Sequence, residues 1–397
     1  MKPIEIAKDI YWLGVVDWNI RDFHGYSTYQ GSTYNSFLIM DEKITLIDTV
    51  KKEFADELIS SIGQIIDPKK IAYVISNHTE MDHSGSLPRI MHKIGEDKPI
   101  YCSKMGHKNL SLHFPNNWNY QPVKDGGELS LGSRSLTFME TRMLHWPDSM
   151  FTYVNDDKIL FSSDGFGQHY AGPERFDDQI NDEIIMPHAK KYFANILLLY
   201  APLILKLVNK VTEMGLSIDM ICPDHGIIWR KDPSKIINAY VEWSTQEPKR
   251  KAVVVYDTMW HSTKTMAETI VEALCEEGVD ARPMDVRHCH RSDVITEIVD
   301  AGAVIVGSPT INNGLFPTVS DFLTYMKGLK PKNKIGAAFG SYGWSGEAVK
   351  LINCELEEMK FNVIDPGLKI QYVPEEKGLK ACRELGKKIA DALPEEK

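Results

Sequence analysis

The stretch Asn77–Gly85 reads "NHTEMDHSG" and follows directly on the apolar run "IAYVIS". Four side chains of metal-ligand type, His78, Glu80, Asp82 and His83, crowd into the place where a strand-like run gives way to a loop. In an extended loop, two-residue alternation puts His78, Glu80 and Asp82 on one side and turns His83 away. That arrangement suits two neighbouring ions better than one, with His78 and Glu80 serving one and Asp82 and His83 the other. Imidazole and carboxylate without thiolate suit iron, manganese or zinc. Each carboxylate in place of an imidazole makes the site harder and more anionic, which shifts the balance toward iron and leaves zinc as the alternative. A lone histidine at a strand end is ordinarily structural, but charged groups rarely cluster in this way without an ion or a partner.

Working outward, His145 in "LHWPDSM", Asp164 at the end of "LFSSD" and His225 in "CPDHG" also sit where strand-like runs pass into loops, the usual position of site residues. Cys222 and His225 imitate a zinc pair, but no second pair accompanies them. His288 and His290 flank Cys289 in "RHCHR"; a solvated loop is the better reading of that tract.

At 397 residues the chain is too long for one ordinary core. Up to residue 248, short apolar runs such as "TYNSFLIM", "KITLIDTV" and "SLTFMET" are spaced by polar loops, a texture rich in sheet with few convincing helices. "EPKRK" (247–251) reads as a linker. From residue 252 to 397, strand and helix patterns alternate through five βα units, which predicts a doubly wound parallel sheet. The expected domains are therefore 1–248 and 252–397.

The net charge of −10 argues against nucleic acid as a partner. The first residues carry no signal-peptide pattern. "FANILLLYAPLILKLV" (193–208) is interrupted by Pro202 and Lys206 and is expected to be a buried helix rather than a membrane span. Six cysteines without a CxxC pair fit a reducing cytoplasm. They offer no set for an iron–sulfur cluster or a rubredoxin-type iron, so a redox partner of that kind would be a separate protein.

Taken together, these motifs resemble the metallo-β-lactamase superfamily, whose usual pattern is His-x-His-x-Asp-His. Glu80 stands in place of the second histidine. With "LHWPDSMF", "DGFGQH" and "PDHGIIWR", the likeness is to the flavodiiron proteins, nearest the rubredoxin:oxygen oxidoreductase type, and it covers nearly the whole chain. The resemblance implies a metallo-β-lactamase-like αββα domain followed by a flavodoxin-like domain. It implies that His78, Glu80 and His145 hold one iron, that Asp82, His83 and His225 hold the other, and that Asp164 bridges them. Ser163 replaces the asparagine common in the family before the bridging aspartate. By the same resemblance, His24 and Tyr26 in "FHGYS" are proton donors beside the irons; a structural turn is the alternative.

The first turn of the second domain, "YDTMWHSTKTMAET", lacks the glycines of a dinucleotide fingerprint. Hydroxyls and backbone N–H groups at a helix start make a phosphate cradle instead, although serine and threonine are also ordinary caps. "GSPTINNG" and "GSYGWSG" follow the next strands on the side where doubly wound sheets bind ligands. Glycines 340, 343 and 346 are expected to let the backbone approach a flat ring, flanked by Trp260, Tyr342 and Trp344. This pattern resembles flavodoxin and implies FMN. Thr258, Met259, Trp260, His261, Ser262 and Thr263 then form the phosphate loop. Ser308, Pro309, Thr310, Ile311, Asn312 and Asn313, with Ser341, Tyr342, Gly343, Trp344, Ser345 and Gly346, form the isoalloxazine loops.

The family activity implied is reduction of dioxygen to water or of nitric oxide to nitrous oxide. Electrons would come from rubredoxin or a similar donor, with a reduced deazaflavin as the alternative. A head-to-tail homodimer, alone or paired into a tetramer, is implied as well. Two rival readings are a binuclear zinc hydrolase carrying a flavodoxin-like module and a non-catalytic electron-transfer or oxygen-sensing protein with a decayed metal site.

Overall fold

The apolar run ahead of the histidine-rich loop forms the strand Tyr73–Ser76 in a computed structural model, which describes residues 2–395. The chain divides into two units. One holds the residues up to His24 with Thr28–Phe193 and Pro202–Val241; the other holds Gly25–Ser27, Ala194–Ala201 and the chain from Glu242 on.

In the first unit, Tyr73–Ser76 is an inner strand of a seven-stranded sheet, with Thr45–Ile47 on one side and Pro99–Ser103 on the other, both parallel to it. Alternation along these strands feeds two cores. Phe37, Ile39, Ile47 and Ile75 point into a core shared with Phe138, Met150 and Phe161 of a second, five-stranded sheet. Their neighbours Leu38, Leu46 and Val74 point the other way, onto helices Ala55–Gly63, Leu87–Ile94 and Lys104–His113. On the second sheet, Phe151, Phe166, Tyr240 and Phe193 form a chain of ring contacts that reaches helix Pro233–Thr245. The layers thus run helix, sheet, sheet, helix. Well-formed helices are more numerous here than the sequence texture suggests, because Leu58, Ser61 and Ile62 bury one face of a segment whose other face is polar.

The second unit carries a sheet of parallel strands in the order Asp280–Asp285, Lys249–Tyr256, Ala301–Gly307, Ile335–Tyr342, then the short strands Asn362–Val363 and Leu368–Gln371. That is the flavodoxin-type strand order. The expected linker is corrected here: Lys249, Arg250 and Lys251 already belong to the first strand of this sheet. Lys251 is held by Glu297 and Asp300 at 2.7 and 2.9 Å, so its charge marks a paired strand end rather than a free connection.

"FANILLLYAPLILKLV" does not form one regular helix. It passes through a π turn at Phe193–Leu197 and a 3₁₀ turn at Leu198–Tyr200 before the α-helix Ala201–Glu213. The helical run Asp182–Glu213 is long and apolar enough to cross a membrane by length and composition, with 44% of its most apolar window buried. A core helix of a soluble protein passes the same test, and Phe193, Ala194, Leu197 and Leu198 are buried.

Candidate functional site

Every candidate metal residue lies just beyond a strand of the two facing sheets. Asn77 anchors the first loop. Its backbone N–H and side-chain amide both donate to Asp48, at 2.7 Å each, and its side-chain oxygen accepts from Thr152 at 2.7 Å. The loop is not extended throughout. Glu80 is the N-cap of the short helix Met81–Ser84, so Asp82 and His83 lie on its first turn. The alternation argument that turned His83 away is therefore corrected: His83 Nε2 stands 3.2 Å from Asp82 Oδ2, aimed at the same point.

Two sets of donor atoms result. His78 Nε2 lies 3.3 Å from Glu80 Oε2 and 3.4 Å from Asp164 Oδ2, and His145 Nε2 lies 3.1 Å from each of the same two oxygens. In the second set, Asp82 Oδ2 is 3.2 Å from His83 Nε2 and 3.1 Å from His225 Nε2. Asp164 Oδ1 is 3.3 Å from His83 Nε2 and 3.4 Å from His225 Nε2. Four donors placed tetrahedrally at about 2.0–2.1 Å from one ion stand about 3.3–3.4 Å apart, so each set fits a metal ion. Asp164 offers one oxygen to each set.

Burial makes the same point. Both oxygens of Asp82, both ring nitrogens of His83 and Oδ2 of Asp164 are buried without a hydrogen bond. Unpaired buried polar groups are strongly disfavoured; a cation at each point would satisfy Asp82 Oδ2, His83 Nε2 and Asp164 Oδ2, while His83 Nδ1 faces Asp224 Oδ2 at 3.6 Å.

The surrounding groups orient the rings. His78 Nδ1 donates to Asp148 Oδ2 at 2.9 Å, and Asp148 is itself held by the Thr79 N–H at 2.8 Å and by Asn109 at 3.1 Å. His225 Nδ1 faces the Thr33 carbonyl at 2.7 Å. A carbonyl only accepts, so the proton sits on Nδ1 and the Nε2 lone pair faces the cluster. Tyr192 donates to Asp164 Oδ1 at 2.8 Å.

Burial works against a proton on His78, but the hydrogen bonds it donates to Asp148 and Glu80 and the charge of Asp164 outweigh it and push its pKa up to about 10. His83 and His145 are raised for the same kind of reason. Behind the cluster, burial raises Asp48 to about 6, and burial with the Asp48 charge raises Asp224 well above the carboxylate range.

His24 is more than half exposed, and its Nε2 stands 2.5 Å from Glu80 Oε1, the oxygen that faces away from His78 and His145. That hydrogen bond raises its pKa. Tyr26 is buried in the short strand Tyr26–Ser27 and falls in the other unit. His288 pairs with Asp285, and His290 caps helix Arg291–Ile298. Among the described residues, metal-type side chains gather in the two sets above and not at this tract.

A separate cavity of about 460 Å³ opens at the carboxyl ends of the second unit's strands. Twelve of the eighteen expected flavin-loop residues line it: Met259, Trp260, Ser262, Pro309, Thr310, Asn312, Asn313, Ser341, Tyr342, Gly343, Trp344 and Ser345. Thr258, His261, Thr263, Ser308, Ile311 and Gly346 stand behind these. His261 takes a left-handed conformation at the N-cap of helix Ser262–Glu276, and Thr263 Oγ1 bonds Ser341 Oγ at 2.8 Å. Ser308 Oγ accepts from the Phe316 N–H at 3.0 Å and so ties its loop closed. Trp260 and Trp344 are each 87% exposed, so neither is a core aromatic. Gly340 serves sheet packing rather than a ligand, since a Cβ there would lie 2.2 Å from the Ser308 carbonyl oxygen.

Comparison with known proteins agrees with this geometry. The family model of the ODP family beta lactamase matches residues 33–226, and that of flavodoxin matches residues 254–386. A nitric oxide reductase of Moorella thermoacetica is 48% identical over 393 residues, covering 98% of each chain. A rubredoxin-oxygen oxidoreductase of Megalodesulfovibrio gigas is 45% identical, covering 99% of this chain and 98% of that one. Among solved structures, rubredoxin oxygen:oxidoreductase from Desulfovibrio gigas superposes with a TM-score of 0.97 at 44% identity, covering 98% of each chain. The flavodiiron protein from Giardia intestinalis superposes with a TM-score of 0.95 at 37% identity, covering 99% of this chain and 97% of that one.

The chain belongs to the flavodiiron protein family.

Its two units are the family's metallo-β-lactamase-like and flavodoxin domains. Several residues at the sites of this flavodiiron protein carry no clear signal in the sequence. Asp148 lies inside the quoted "LHWPDSM" but reads there as a turn residue. Tyr192 comes from the helix Asp182–Tyr192, and no local motif marks it. Tyr372 and Val373 line the flavodoxin-domain cavity beside the anticipated loops.

Proposed function

We propose that this flavodiiron protein reduces dioxygen to water, nitric oxide to nitrous oxide, or both, with electrons from rubredoxin or a similar protein. The observation that carries the reading is the division of Asp164 between two donor sets, Oδ2 toward His78, Glu80 and His145 and Oδ1 toward Asp82, His83 and His225. Iron is the ion proposed for both sets, because three carboxylates and four imidazoles make a hard, anionic site. FMN is proposed for the cavity between Trp260 and Trp344, with Thr258–Thr263 at its phosphate.

Bound there, FMN and the iron pair supply the single-electron steps that link a one-electron protein donor to a gas needing two or four electrons. The chain's own residues do the rest. Asp164 would hold both ions, offering Oδ2 to one donor set and Oδ1 to the other. Asp148 and the Thr33 carbonyl keep His78 and His225 in the tautomer that presents Nε2. His24, bonded to Glu80 and more than half exposed, is proposed to pass protons inward, and Tyr26 is proposed in the same role.

The reading includes domains at residues 1–248 and 252–397, a head-to-tail homodimer or a dimer of dimers, and a cytoplasmic location. The test is gas consumption by the iron- and FMN-loaded protein with reduced rubredoxin as donor. Uptake of dioxygen or nitric oxide well above the donor blank is expected; uptake of neither by fully loaded protein contradicts the proposal. Replacing His24 with phenylalanine is expected to lower the rate or change the dioxygen-to-nitric-oxide ratio, and if both stay unchanged its assignment fails.

A further inference from the structure

Three loops around the flavodoxin-domain cavity are legible in the sequence, and a fourth is not. Strand Leu368–Gln371 pairs in parallel with Ile335–Tyr342, with Gln371 opposite Tyr342. It delivers the next two residues to the carboxyl edge of the sheet, where a doubly wound fold binds its ligand. Tyr372 and Val373 line the cavity there. They are 62% and 67% exposed, so the core gains little from either side chain.

Three contacts fasten this edge to the loop that begins at Tyr342. The Tyr372 N–H donates to the Tyr342 carbonyl at 2.7 Å. The Gln371 side-chain amide donates to the Gly343 carbonyl at 2.8 Å. The Tyr372 ring lies over Gly343: a Cβ built there would meet Cε1 at 3.4 Å and the hydroxyl oxygen at 3.7 Å. Gly343 therefore carries a ring on its open side and an amide on its carbonyl, and Trp344 follows it directly. Tyr372 adopts φ = 55°, a left-handed conformation that is sterically unfavourable for an aromatic residue. A solvent-facing tyrosine held in that conformation, with its ring turned onto a cavity wall, calls for a reason outside folding.

We propose that Gln371, Tyr372 and Val373 form a fourth wall of the flavin site. Tyr372 and Val373 touch the bound ring system, and Gln371 acts as a positioning residue that fixes the Gly343 carbonyl. The inference rests on FMN occupying this cavity. An aromatic contact on a flat ring contributes about 0.5–1.5 kcal/mol beyond area, which is roughly a twofold to tenfold change in affinity at room temperature. By fixing Gly343, Gln371 limits how the loop answers a change in the flavin's charge, so its loss acts on the redox potentials more than on affinity.

The experiment removes FMN from the full-length protein and titrates it back by quenching of flavin fluorescence. It compares wild type with Tyr372→Gly, Tyr372→Phe and Gln371→Leu, each checked by circular dichroism and thermal midpoint. Glycine suits the positive φ, so Tyr372→Gly is expected to fold at least as stably as wild type while binding FMN about twofold to tenfold more weakly. Tyr372→Phe restores the affinity. Gln371→Leu binds within about twofold of wild type, but its two one-electron midpoint potentials move apart or together. Wild type that binds FMN, with variants matching it in affinity and potentials, overturns the inference and leaves the flavin site standing. Wild type that takes up no FMN overturns the flavin reading itself. Should Tyr372→Gly fail to fold, Tyr372→Asn, also at home at positive φ, makes the same comparison.

Discussion

The metal cluster and the flavin cavity are built on opposite principles. The cluster is nearly closed: His78, Asp82, His83, Asp164 and His225 are all buried, and several of their donor atoms have no hydrogen bond. The cavity is open, and its most prominent side chains, Trp260 and Trp344, stand in solvent. In the cluster, like charges and orphaned lone pairs are held together by a scaffold of buried hydrogen bonds, and only cations relieve them. In the cavity, weak contacts from several loops add up. Damage to the first is therefore expected to be abrupt and damage to the second graded.

The sharpest way to break that contrast is Asp164→Ala. It removes the one group shared by both donor sets, so bound iron is expected to drop by more than half while FMN stays unchanged, measured by metal analysis after gel filtration. Retention of both irons contradicts the bridging role. Next comes Asp148→Ala, which leaves the ligands in place but frees the His78 ring. Second-layer partners of this kind change metal affinity about 10–100-fold, and a competition titration against a chelator measures the loss.

A third prediction concerns pH. In the metal-free protein the neighbouring carboxylates raise His78 to about 10, so its ring carries a proton at neutral pH that a metal must displace, and they lift His83 and His145 above a free imidazole in the same direction. Affinity is expected to rise with pH across about pH 6 to 9, with protons released into a weakly buffered solution on loading. A flat profile means that the rings are already neutral. The smallest effect is expected in the cavity: Trp344→Ala weakens FMN by about 0.5–1.5 kcal/mol and leaves iron content unchanged. A total loss of FMN would make that site as all-or-none as the cluster.

Reading the sequence found the chemistry of the cluster but misjudged its shape. His78, Glu80, Asp82 and His83 stand out because so many ligand-type residues share one loop. Alternation then sent His83 the wrong way, because the chain turns helical at Met81; the acids at the start of that turn, Glu80 and Asp82, are the signal that was available. Asp148 and Tyr192 escaped for a different reason. Asp148 meets His78 across 70 positions of chain and Tyr192 meets Asp164 across 28, and no local pattern encodes such a pairing. The second unit was easier, since its inner strands Lys249–Tyr256 and Ala301–Gly307 carry continuous apolar runs followed by polar loops. Even so, "QYVPEE" offers no glycine, serine or threonine to mark Tyr372 as part of a site.

The most direct test of the account is the iron, zinc and FMN content of the full chain purified without oxygen. The account predicts two irons and one FMN per chain. Two zincs and no flavin would contradict it, and the protein would then be read as a binuclear hydrolase whose second unit serves some other end.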